Sequence, residues 1–401
     1  MDPLEFHRKH KGKIEVKSKV PLNSKEALSL AYTPGVAKVC LEIRDKPDTV
    51  YDYTMKNNFV AVINDGTRIL GLGNIGPEAG LPVMEGKSAL FNGFGGVDSV
   101  PISLKTTDKD EIIRITQMLE PSFGGINLED IETPKVFEIY DELKKTMGIP
   151  VFHDDRHGTG IVVLGGLINA MKVAGKGKDA QVVLVGAGSA IMGIMELMLE
   201  YGMKNITVLD SKGVLDKSRH DIEPYKKWFV DNSKPKCKGG LADAMKGADI
   251  VIAASAPGII KKEMVASMAK NAIVFTLSNP NSEILYQDAK DAGAKIVATG
   301  RSDVPNQVNN VLVFPGLMRG TLDVRAKEIN HAMMIAAAEG LAKTVKALNE
   351  TNIVPLPFDR EVAVNVATAV AQKAVETGVA RLRLTPEQIR AKICERLICE
   401  V

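Results

Sequence analysis

The sequence is poor in the features that mark several common classes of protein. Its four cysteines lack the short paired spacings of a zinc site and the density of a secreted disulfide scaffold. They are Cys40, Cys237, Cys394 and Cys399. Lysine plus arginine (51) nearly balances aspartate plus glutamate (49), so the strong basic field of a dedicated nucleic-acid binder is absent. We therefore expect reduced thiols, a cytoplasmic location and no nucleic-acid partner.

Long apolar runs are also missing. The basic run at residues 7–11 is not followed by an apolar stretch that could form the core of a signal peptide. The longest apolar stretches, near 161–174 and 333–342, fall short of the roughly 18 to 20 residues needed to cross a bilayer. No repeat of fixed period or low-complexity tract occurs. We expect a globular chain without a membrane span, large enough at 401 residues for two domains or slightly more.

From Gln181 onward, short apolar runs alternate with helix-like stretches. The first unit has a strand at 182–185, a glycine turn, a helix at 191–201 that Gly202 ends, and a strand at 206–209. Further strands are predicted at 250–254, 272–277 and 295–298. This pattern predicts an α/β fold with a Rossmann-like, doubly wound parallel sheet.

The segments on either side of this domain are organised separately from it. In the preceding segment, apolar runs at 60–64 and 100–104, with helical stretches between them, predict a separate N-terminal α/β domain. After Phe314 the sequence is helical, and residues 385–388 form a capping box that opens a final amphipathic helix. We therefore divide the chain into residues 1–153, 154–309 and 310–401.

A glycine turn at the start of the predicted Rossmann domain is suited to a dinucleotide. Gly186 and Gly188 follow a strand, and Ser189 and Ala190 open a helix whose N-terminus can stabilise a pyrophosphate. Asp210 ends the next strand, where a carboxylate can accept hydrogen bonds from ribose hydroxyls. The alternative is a structural turn that binds nothing, and Asp210 weighs against it.

The details of this turn leave the cofactor open. The third glycine of the usual motif is missing and Gly193 comes two residues late, so the helix must pack closely by another route. Asp210 favours NAD, because a carboxylate repels a 2′-phosphate. Ser211 and Lys212 follow immediately and could accommodate that phosphate. The sequence is therefore compatible with NAD or NADP.

Two acidic clusters, at 127–131 and 153–159, stand near expected strand ends. Three carboxylates that converge need a cation, and an oxygen-only set suits Mg²⁺ or Mn²⁺ better than zinc. We assign Glu129, Asp130 and Asp155 as ligands. His153 and His157 are of little use to such a metal, and we expect them to position backbone or solvent. Helix capping is the alternative duty for either cluster taken singly.

Several motifs resemble, in order, those of the malic enzyme family. The segments are Tyr32–Ala37, Gly71–Gly76, Gly86–Lys87, the two acidic clusters and Ser278–Pro280. The resemblance runs from about Lys13 to at least Asn330. Within the family, the sequence resembles the short bacterial and archaeal type. An ordered set of this kind is far more specific than any single motif.

The resemblance implies a role for individual residues. Lys87 is the general base for the malate hydroxyl, which requires a neutral amine and a lowered pKa. Tyr32 is the general acid that protonates the enol of pyruvate. Arg68 grips a malate carboxylate, and Asn279 and Asn310 hydrogen-bond both substrate and nicotinamide. Asp154 is a candidate to lie next to the metal ligands without binding the metal itself.

The implied activity is oxidation of L-malate with NAD or NADP and decarboxylation to pyruvate and CO2, with Mg²⁺ or Mn²⁺ bound. Decarboxylation of oxaloacetate is also expected. The resemblance further implies a homodimer and C-terminal helices that pack back on the N-terminal catalytic domain. Whether Tyr32 acts in its own chain or in the partner's site stays open. Two alternatives remain: malolactic chemistry, in which tightly held NAD returns the hydride and lactate leaves, and a catalytically silent Rossmann binding protein.

Overall fold

The computed structural model of the protein describes residues 2–398. Its N-terminal domain contains a parallel four-stranded sheet of order β2-β1-β3-β4. The strands are β1 (Phe59–Asn64), β2 (Asp98–Ser103), β3 (Gly125–Leu128) and β4 (Val151–His153). The central strands β1 and β3 are buried along nearly their whole length, as expected where helices cover both faces of a parallel sheet.

Seven helices belong to this N-terminal part: α1 (Pro3–His10), α2 (Lys25–Ala31), α3 (Val36–Asp45), α4 (Val50–Tyr53), α5 (Pro77–Gly95), α6 (Lys109–Met118) and α7 (Lys135–Thr146). Helices α5 and α7 bury one face each in the core. Helices α1, α2 and α3 bury no residue at all. Residues 2–50 therefore lie outside the hydrophobic core of their own chain.

A continuous helical stretch connects the two sheets. It begins with a π-helical turn (Asp154–Gly158) and continues as α8 (Thr159–Ala174). This stretch is long and apolar enough to cross a membrane, with a mean hydropathy of 1.2, yet 83% of its most apolar window is buried inside the protein. The stretch is longer than the sequence indicated because the π-helical turn extends it. Burial of this kind is typical of a core helix.

The second sheet has six strands in the order β10-β9-β8-β5-β6-β7, all parallel except for β7. The strands are β5 (Val182–Val185), β6 (Ile206–Asp210), β7 (Gly213–Val214), β8 (Ile250–Ala253), β9 (Ile273–Thr276) and β10 (Ile296–Thr299). The helices between them are α9 (Ser189–Tyr201), α10 (Lys227–Asn232), α11 (Leu241–Met245), α12 (Lys262–Ala266) and α13 (Tyr286–Asp291). The predicted Rossmann-like sheet is confirmed, and Gly202 ends α9 in the left-handed conformation as expected.

Four helices complete the chain: α14 (Phe314–Asp323), α15 (His331–Thr344), α16 (Arg360–Glu376) and α17 (Pro386–Ile398). Helix α14 packs on α5 of the first domain, where the rings of Phe91 and Phe314 lie 4.7 Å apart. The capping box of α17 is confirmed, since Thr385 and Gln388 exchange hydrogen bonds between side chain and backbone. The C-terminal helices thus return to the N-terminal domain, and α15 also packs along α8.

Candidate active site

The candidate site lies where the carboxyl ends of β3 and β4 approach the N-terminus of α9. Glu129 follows β3 directly, and Asp154 follows β4. Thr133, four residues beyond Glu129, shares a hydrogen bond of 2.7 Å with the hydroxyl of Ser189 at the start of α9. Ligands of open α/β sheets bind at the carboxyl ends of the strands, and here the two domains place those ends side by side.

Lys87 lies at the centre of this region. Its Nζ donates to Asp154 Oδ2 at 2.6 Å and lies 2.9 Å from Glu129 Oε1, with only 11% of the side chain exposed. The ring of Phe314 covers the ammonium at 4.2 Å. Burial lowers the pKa of Lys87, but Asp154 and then Glu129 raise it more, so the net direction is upward. The expected lowered pKa is therefore wrong for this arrangement.

Glu129 and Asp130 are carboxylates whose pKa values are raised by their surroundings. Burial raises the pKa of Glu129 well above its usual value, and Asp154, Asp155 and Asp130 add to the effect against Lys87. Burial and then Asp155 raise the pKa of Asp130 to about 7. Buried carboxylates behave in this way when too few cations accompany them.

The three predicted metal ligands are neighbours but do not converge fully. Asp155 Oδ2 accepts the backbone N–H of Asp130 at 3.0 Å, which brings the two acidic clusters together as predicted. Glu129 is instead held by Lys87 and by the Asn127 amide, which donates to its Oε2 at 2.8 Å. As a result, the oxygens of Glu129, Asp130 and Asp155 do not all lie within 4.8 Å of one another.

Asp154 is buried at the base of the site. Its Oδ2 accepts from Lys87 and, at 3.0 Å, from the side-chain amide of Asn310, while its Oδ1 has no hydrogen-bond partner in the described part of the chain. A Cβ at Gly158 would collide with that same Oδ1, so the glycine provides the space for the carboxylate. Asn310 also pairs with Thr159, and it therefore orients Asp154 from the far side.

The remaining predicted substrate residues surround the site at different distances. Arg68 is exposed, and its positive charge lowers the pKa of Asp130, which places the guanidinium near the carboxylates. Asn279 is exposed beside Gly300, where a Cβ would lie 2.5 Å from its Nδ2. Tyr32 is 67% exposed and makes none of the side-chain hydrogen bonds of this site. Among the described residues of one chain, Tyr32 and Lys87 therefore share no hydrogen bond.

The predicted dinucleotide turn has the expected backbone. Gly186 has a φ of 115°, and a Cβ there would lie 2.5 Å from the Ala254 carbonyl oxygen, so only glycine fits. Gly188 is the residue before α9, which begins at Ser189 and continues through Ala190. No side chain of the described residues caps α9, so its first N–H groups are available to an anion.

Asp210 ends β6 as predicted, but its carboxylate is already engaged. It accepts from Arg219 at 2.7 Å and 3.3 Å, from Lys226 at 3.2 Å and from the Lys212 backbone at 2.9 Å. Burial raises the pKa of Asp210, but these donors, Arg219 foremost, lower it by more, so the net direction is downward. A carboxylate offers about four lone-pair positions, so none is left for a ribose hydroxyl in this arrangement. Sequence reasoning missed Arg219 and Lys226.

The late glycine, Gly193, has a role that the sequence did not indicate. A Cβ at this position would overlap the carbonyl oxygen of Arg156 in the π-helical turn. A Cβ at Gly160 would in turn lie 2.6 Å from the carbonyl oxygen of Gly193. Helix α9 is therefore packed on the turn that carries Asp154 and Asp155, rather than on its own strand through a third motif glycine.

Together, these features define the class of the protein. A glycine turn after a parallel strand, a free helix terminus and a strand-end carboxylate are typical of a dinucleotide-binding Rossmann domain. The facing domain supplies a buried lysine and several carboxylates at the place where the nicotinamide end of such a cofactor would reach. The protein is a nicotinamide-dependent oxidoreductase.

Comparison with known proteins identifies the family. The description "Malic enzyme, N-terminal domain" matches residues 11–144, and "Malic enzyme, NAD binding domain" matches residues 157–375. The bifunctional malic/malolactic enzyme of Bacillus subtilis (strain 168) is 50% identical over 98% of this chain and 97% of that protein. The NAD-dependent malic enzyme of Geobacillus stearothermophilus is 48% identical over 92% of this chain and 78% of that protein.

Solved structures agree with this result. The crystal structure of the malic enzyme from Pyrococcus horikoshii Ot3 superposes with a TM-score of 0.93 at 47% identity and covers 96% of this chain and 92% of that one. The chain therefore belongs to the malic enzyme family, the NAD(P)-dependent oxidoreductases that oxidatively decarboxylate malate.

Proposed function

We propose that the protein oxidises L-malate with NAD⁺ or NADP⁺ and decarboxylates it to pyruvate and CO2 with the help of Mg²⁺ or Mn²⁺. The observation that carries the proposal is Lys87, buried between Asp154 and Glu129 next to carboxylates of raised pKa. A buried amine beside an excess of carboxylates can exchange a proton with a substrate hydroxyl and can share its carboxylates with a cation.

The donor set fits a hard divalent cation. Glu129, Asp130 and Asp155 offer only oxygen ligands, and burial followed by neighbouring carboxylates raises the pKa values of Glu129 and Asp130, an effect that a bound cation opposes. The unpartnered Oδ1 of Asp154 is a further acceptor at the same place. When bound there, a divalent cation supplies Lewis-acid polarisation of the substrate oxygens and charge stabilisation of the enolate.

Lys87 moves the proton of the malate hydroxyl in this proposal. Two carboxylates raise its pKa, and each carboxylate that turns its charge elsewhere removes part of that effect. Glu129 is the carboxylate that a cation would claim, which leaves Lys87 with Asp154 alone. Burial of Lys87 is then opposed by one carboxylate instead of two, so its pKa falls and a neutral amine becomes easier to reach. Asp154 is kept in place by Asn310 and holds Lys87 against the substrate.

Tyr32 supplies the final proton from a second copy of the chain. None of residues 2–50 is buried, and this segment exposes several large apolar side chains: Val16, Val20, Leu22, Leu28, Leu30 and Leu41. Apolar helices without a covered face favour association. A homodimer that covers this segment would bring Tyr32 to the partner's site, which supports a dimer with shared active sites.

Mixed dimers test the shared site. Tyr32→Phe and Lys87→Ala proteins are each expected to be inactive. After unfolding and refolding together, half of the dimers are mixed and one of their two sites is intact, so about a quarter of wild-type activity should return. Recovery of no activity, with mixed dimers verified by differently tagged subunits, would place Tyr32 and Lys87 in the same chain or rule Tyr32 out.

Use of both cofactors is supported by the surroundings of Asp210. The charge of Asp210 is compensated by Arg219 and Lys226, with their side chains 14% and 15% exposed. A compensated carboxylate repels a 2′-phosphate far less than a free one. We therefore propose that NADP⁺ is accepted as well as NAD⁺.

Malolactic chemistry is a second candidate because one relative of 50% identity bears both activities in its name. The assay that decides combines malate and Mn²⁺ with NAD⁺ or NADP⁺, with and without EDTA, and measures reduced cofactor, pyruvate and lactate. Equal amounts of pyruvate and reduced cofactor, lost with EDTA, support the proposal. Lactate without reduced cofactor would support the second candidate, and absence of both would contradict each. Pyruvate from added oxaloacetate would extend the proposal to that substrate.

A cytoplasmic location is part of the proposal. Cys40, Cys237 and Cys394 are free thiols, which supports a reducing compartment. Cys399 lies outside the described residues. Fractionation of the source cells, followed by the malate assay on each fraction, tests this part.

A further inference from the structure

A second group of metal-ligand side chains lies behind the active site. His157, Glu196 and His331 each direct a ligand atom to one place, and these atoms all lie within 4.8 Å of one another. His157 belongs to the π-helical turn, Glu196 to α9 and His331 to the start of α15. In residues 2–398 no other group of three His, Cys, Asp or Glu side chains is as close.

His157 is a buried imidazole whose Nδ1 has no hydrogen-bond partner among residues 2–398. Its side chain is 1% exposed, and its Nε2 lies 3.7 Å from Glu196 Oε2, which is beyond hydrogen-bond range. The Tyr140 ring packs on the imidazole with centroids 4.8 Å apart and keeps it aimed at Glu196. A buried polar group of this kind costs free energy until it finds a partner.

Glu196 is held ready by a neighbouring guanidinium. Arg156 Nε donates to Glu196 Oε2 at 3.0 Å, and its Nη2 donates to Oε1. A carboxylate has about four lone-pair positions, so two stay available on the side facing the histidines. The positive charge of Arg156 repels a further cation, so binding there should be weaker than in a structural zinc site.

His331 closes the group from the surface. Its side chain is 39% exposed, and its Nδ1 lies 3.7 Å from Glu200 Oε1, one helical turn after Glu196. At this distance Glu200 does not hydrogen-bond the ring, so it does not prevent the imidazole from turning a nitrogen toward a metal. Tetrahedral ligands about 2.1 Å from zinc are roughly 3.4 Å apart, so ligand atoms that lie within 4.8 Å of one another have to approach by at most roughly 1.4 Å.

We propose that His157, Glu196 and His331 bind one divalent transition ion of the Zn²⁺ or Co²⁺ kind, with water in the fourth position. Two imidazoles and a carboxylate suit such ions and not Mg²⁺, so this site is distinct in chemistry from the oxygen set of Glu129, Asp130 and Asp155. The bound ion joins the π-helical turn, α9 and α15, and stabilises their packing.

Cobalt spectroscopy on the full chain tests the site. The protein is stripped with EDTA, placed in a large excess of Mg²⁺ to occupy oxygen-only sites, and titrated with Co²⁺. We expect an intense visible absorption band that saturates at one Co²⁺ per chain, as four-coordinate cobalt with nitrogen ligands gives. His331→Ala should weaken Co²⁺ binding at least tenfold and abolish the band.

His10→Ala is the matched control, because His7 and His10 stand one turn apart on α1 and can bind metal by themselves. Since His331 makes no hydrogen bond, its variant should fold normally, and equal unfolding midpoints without metal verify this. Zn²⁺ should then raise the midpoint of wild type and His10→Ala but not of His331→Ala. Absence of the band in wild type, its persistence in His331→Ala or its loss in His10→Ala would each overturn the proposal.

Discussion

The two halves of the active-site cleft treat their carboxylates in opposite ways. In the N-terminal domain, Glu129 and Asp130 are buried with too few cations, and their pKa values are raised. In the Rossmann domain, Asp210 has Arg219 and Lys226 as direct partners, and its pKa is lowered. In the first half (the incomplete half), the carboxylate charges are not compensated without a bound cation. In the second half (the complete half), basic side chains of the protein itself compensate the carboxylate charge. Burial acts on both halves, so the number of partner cations decides the direction.

Removal of Lys87 tests the incomplete half most severely. Lys87→Met deletes the proton acceptor, and we expect kcat with malate to fall about 10³-fold, within the range for general acid–base groups. Lys135→Met is the control, since Lys135 is a comparably buried lysine, 14% exposed, that pairs with Asp65. Similar losses in both variants would mean that the effect comes from a lost buried ion pair and not from the chemistry.

Removal of one carboxylate tests whether that half awaits a cation. Asp155→Asn can keep the hydrogen bond from the Asp130 N–H but loses its charge. We expect Mn²⁺ to bind about 100-fold more weakly, as measured by electron paramagnetic resonance of free Mn²⁺. The control is Asp141→Asn, because Asp141 also has a pKa raised by burial but belongs to α7. Unchanged Mn²⁺ affinity in Asp155→Asn would place the metal elsewhere.

Removal of Arg219 should make the complete half incomplete. Without Arg219, the charge of Asp210 is exposed to an incoming 2′-phosphate. We expect KM for NADP⁺ to rise about tenfold relative to KM for NAD⁺. Lys217→Ala, which changes an exposed lysine of the same loop, should leave the ratio unchanged. An unchanged ratio of the two KM values in Arg219→Ala would show that the charge of Asp210 does not determine which cofactor is preferred.

The smallest expected effect is a pH dependence of stability without metal. Folded Asp130, with a pKa of about 7, keeps a proton that the unfolded chain releases above about pH 4. Its contribution therefore lowers the free energy of unfolding as pH rises between these values. In EDTA, the unfolding midpoint should fall by a few degrees from about pH 5 to about pH 8, less so in Asp130→Asn. Identical slopes would show that Asp130 is ionised throughout.

Local sequence patterns were sufficient for most of the fold. The strands β5, β6, β8, β9 and β10 and the stop at Gly202 follow from apolar runs and one glycine, which are short-range signals. The order of motifs was sufficient for the family. The neighbouring positions of Lys87, Glu129 and Asp154 agree with that order, although they come from three separate elements.

Electrostatic balance could not be predicted, because it depends on partners far along the chain. Lys87 needs a lowered pKa as a base, but Asp154, 67 residues away, raises it. Asp210 was assigned to the ribose, but Arg219 and Lys226 occupy its oxygens. His157 was expected to position backbone or solvent, and its Nδ1 contacts no backbone acceptor among the described residues, which left its position beside Glu196 and His331 unforeseen. Spacing in sequence contains no information on these neighbours.

The backbone contact between Gly193 and Arg156 bears on how cofactor preference can change by exchange of segments. Helix α9 belongs to the nucleotide-binding unit, yet it packs directly on the turn that carries Asp154 and Asp155. A chimera that imports the strand–turn–helix unit from another dehydrogenase must import a glycine at this position, or the foreign side chain displaces Asp154 and Asp155. The nucleotide-binding unit therefore cannot be exchanged independently of the turn on which it packs. Replacement of the loop after β6 alone, at residues 211–226, is the exchange that leaves this contact intact.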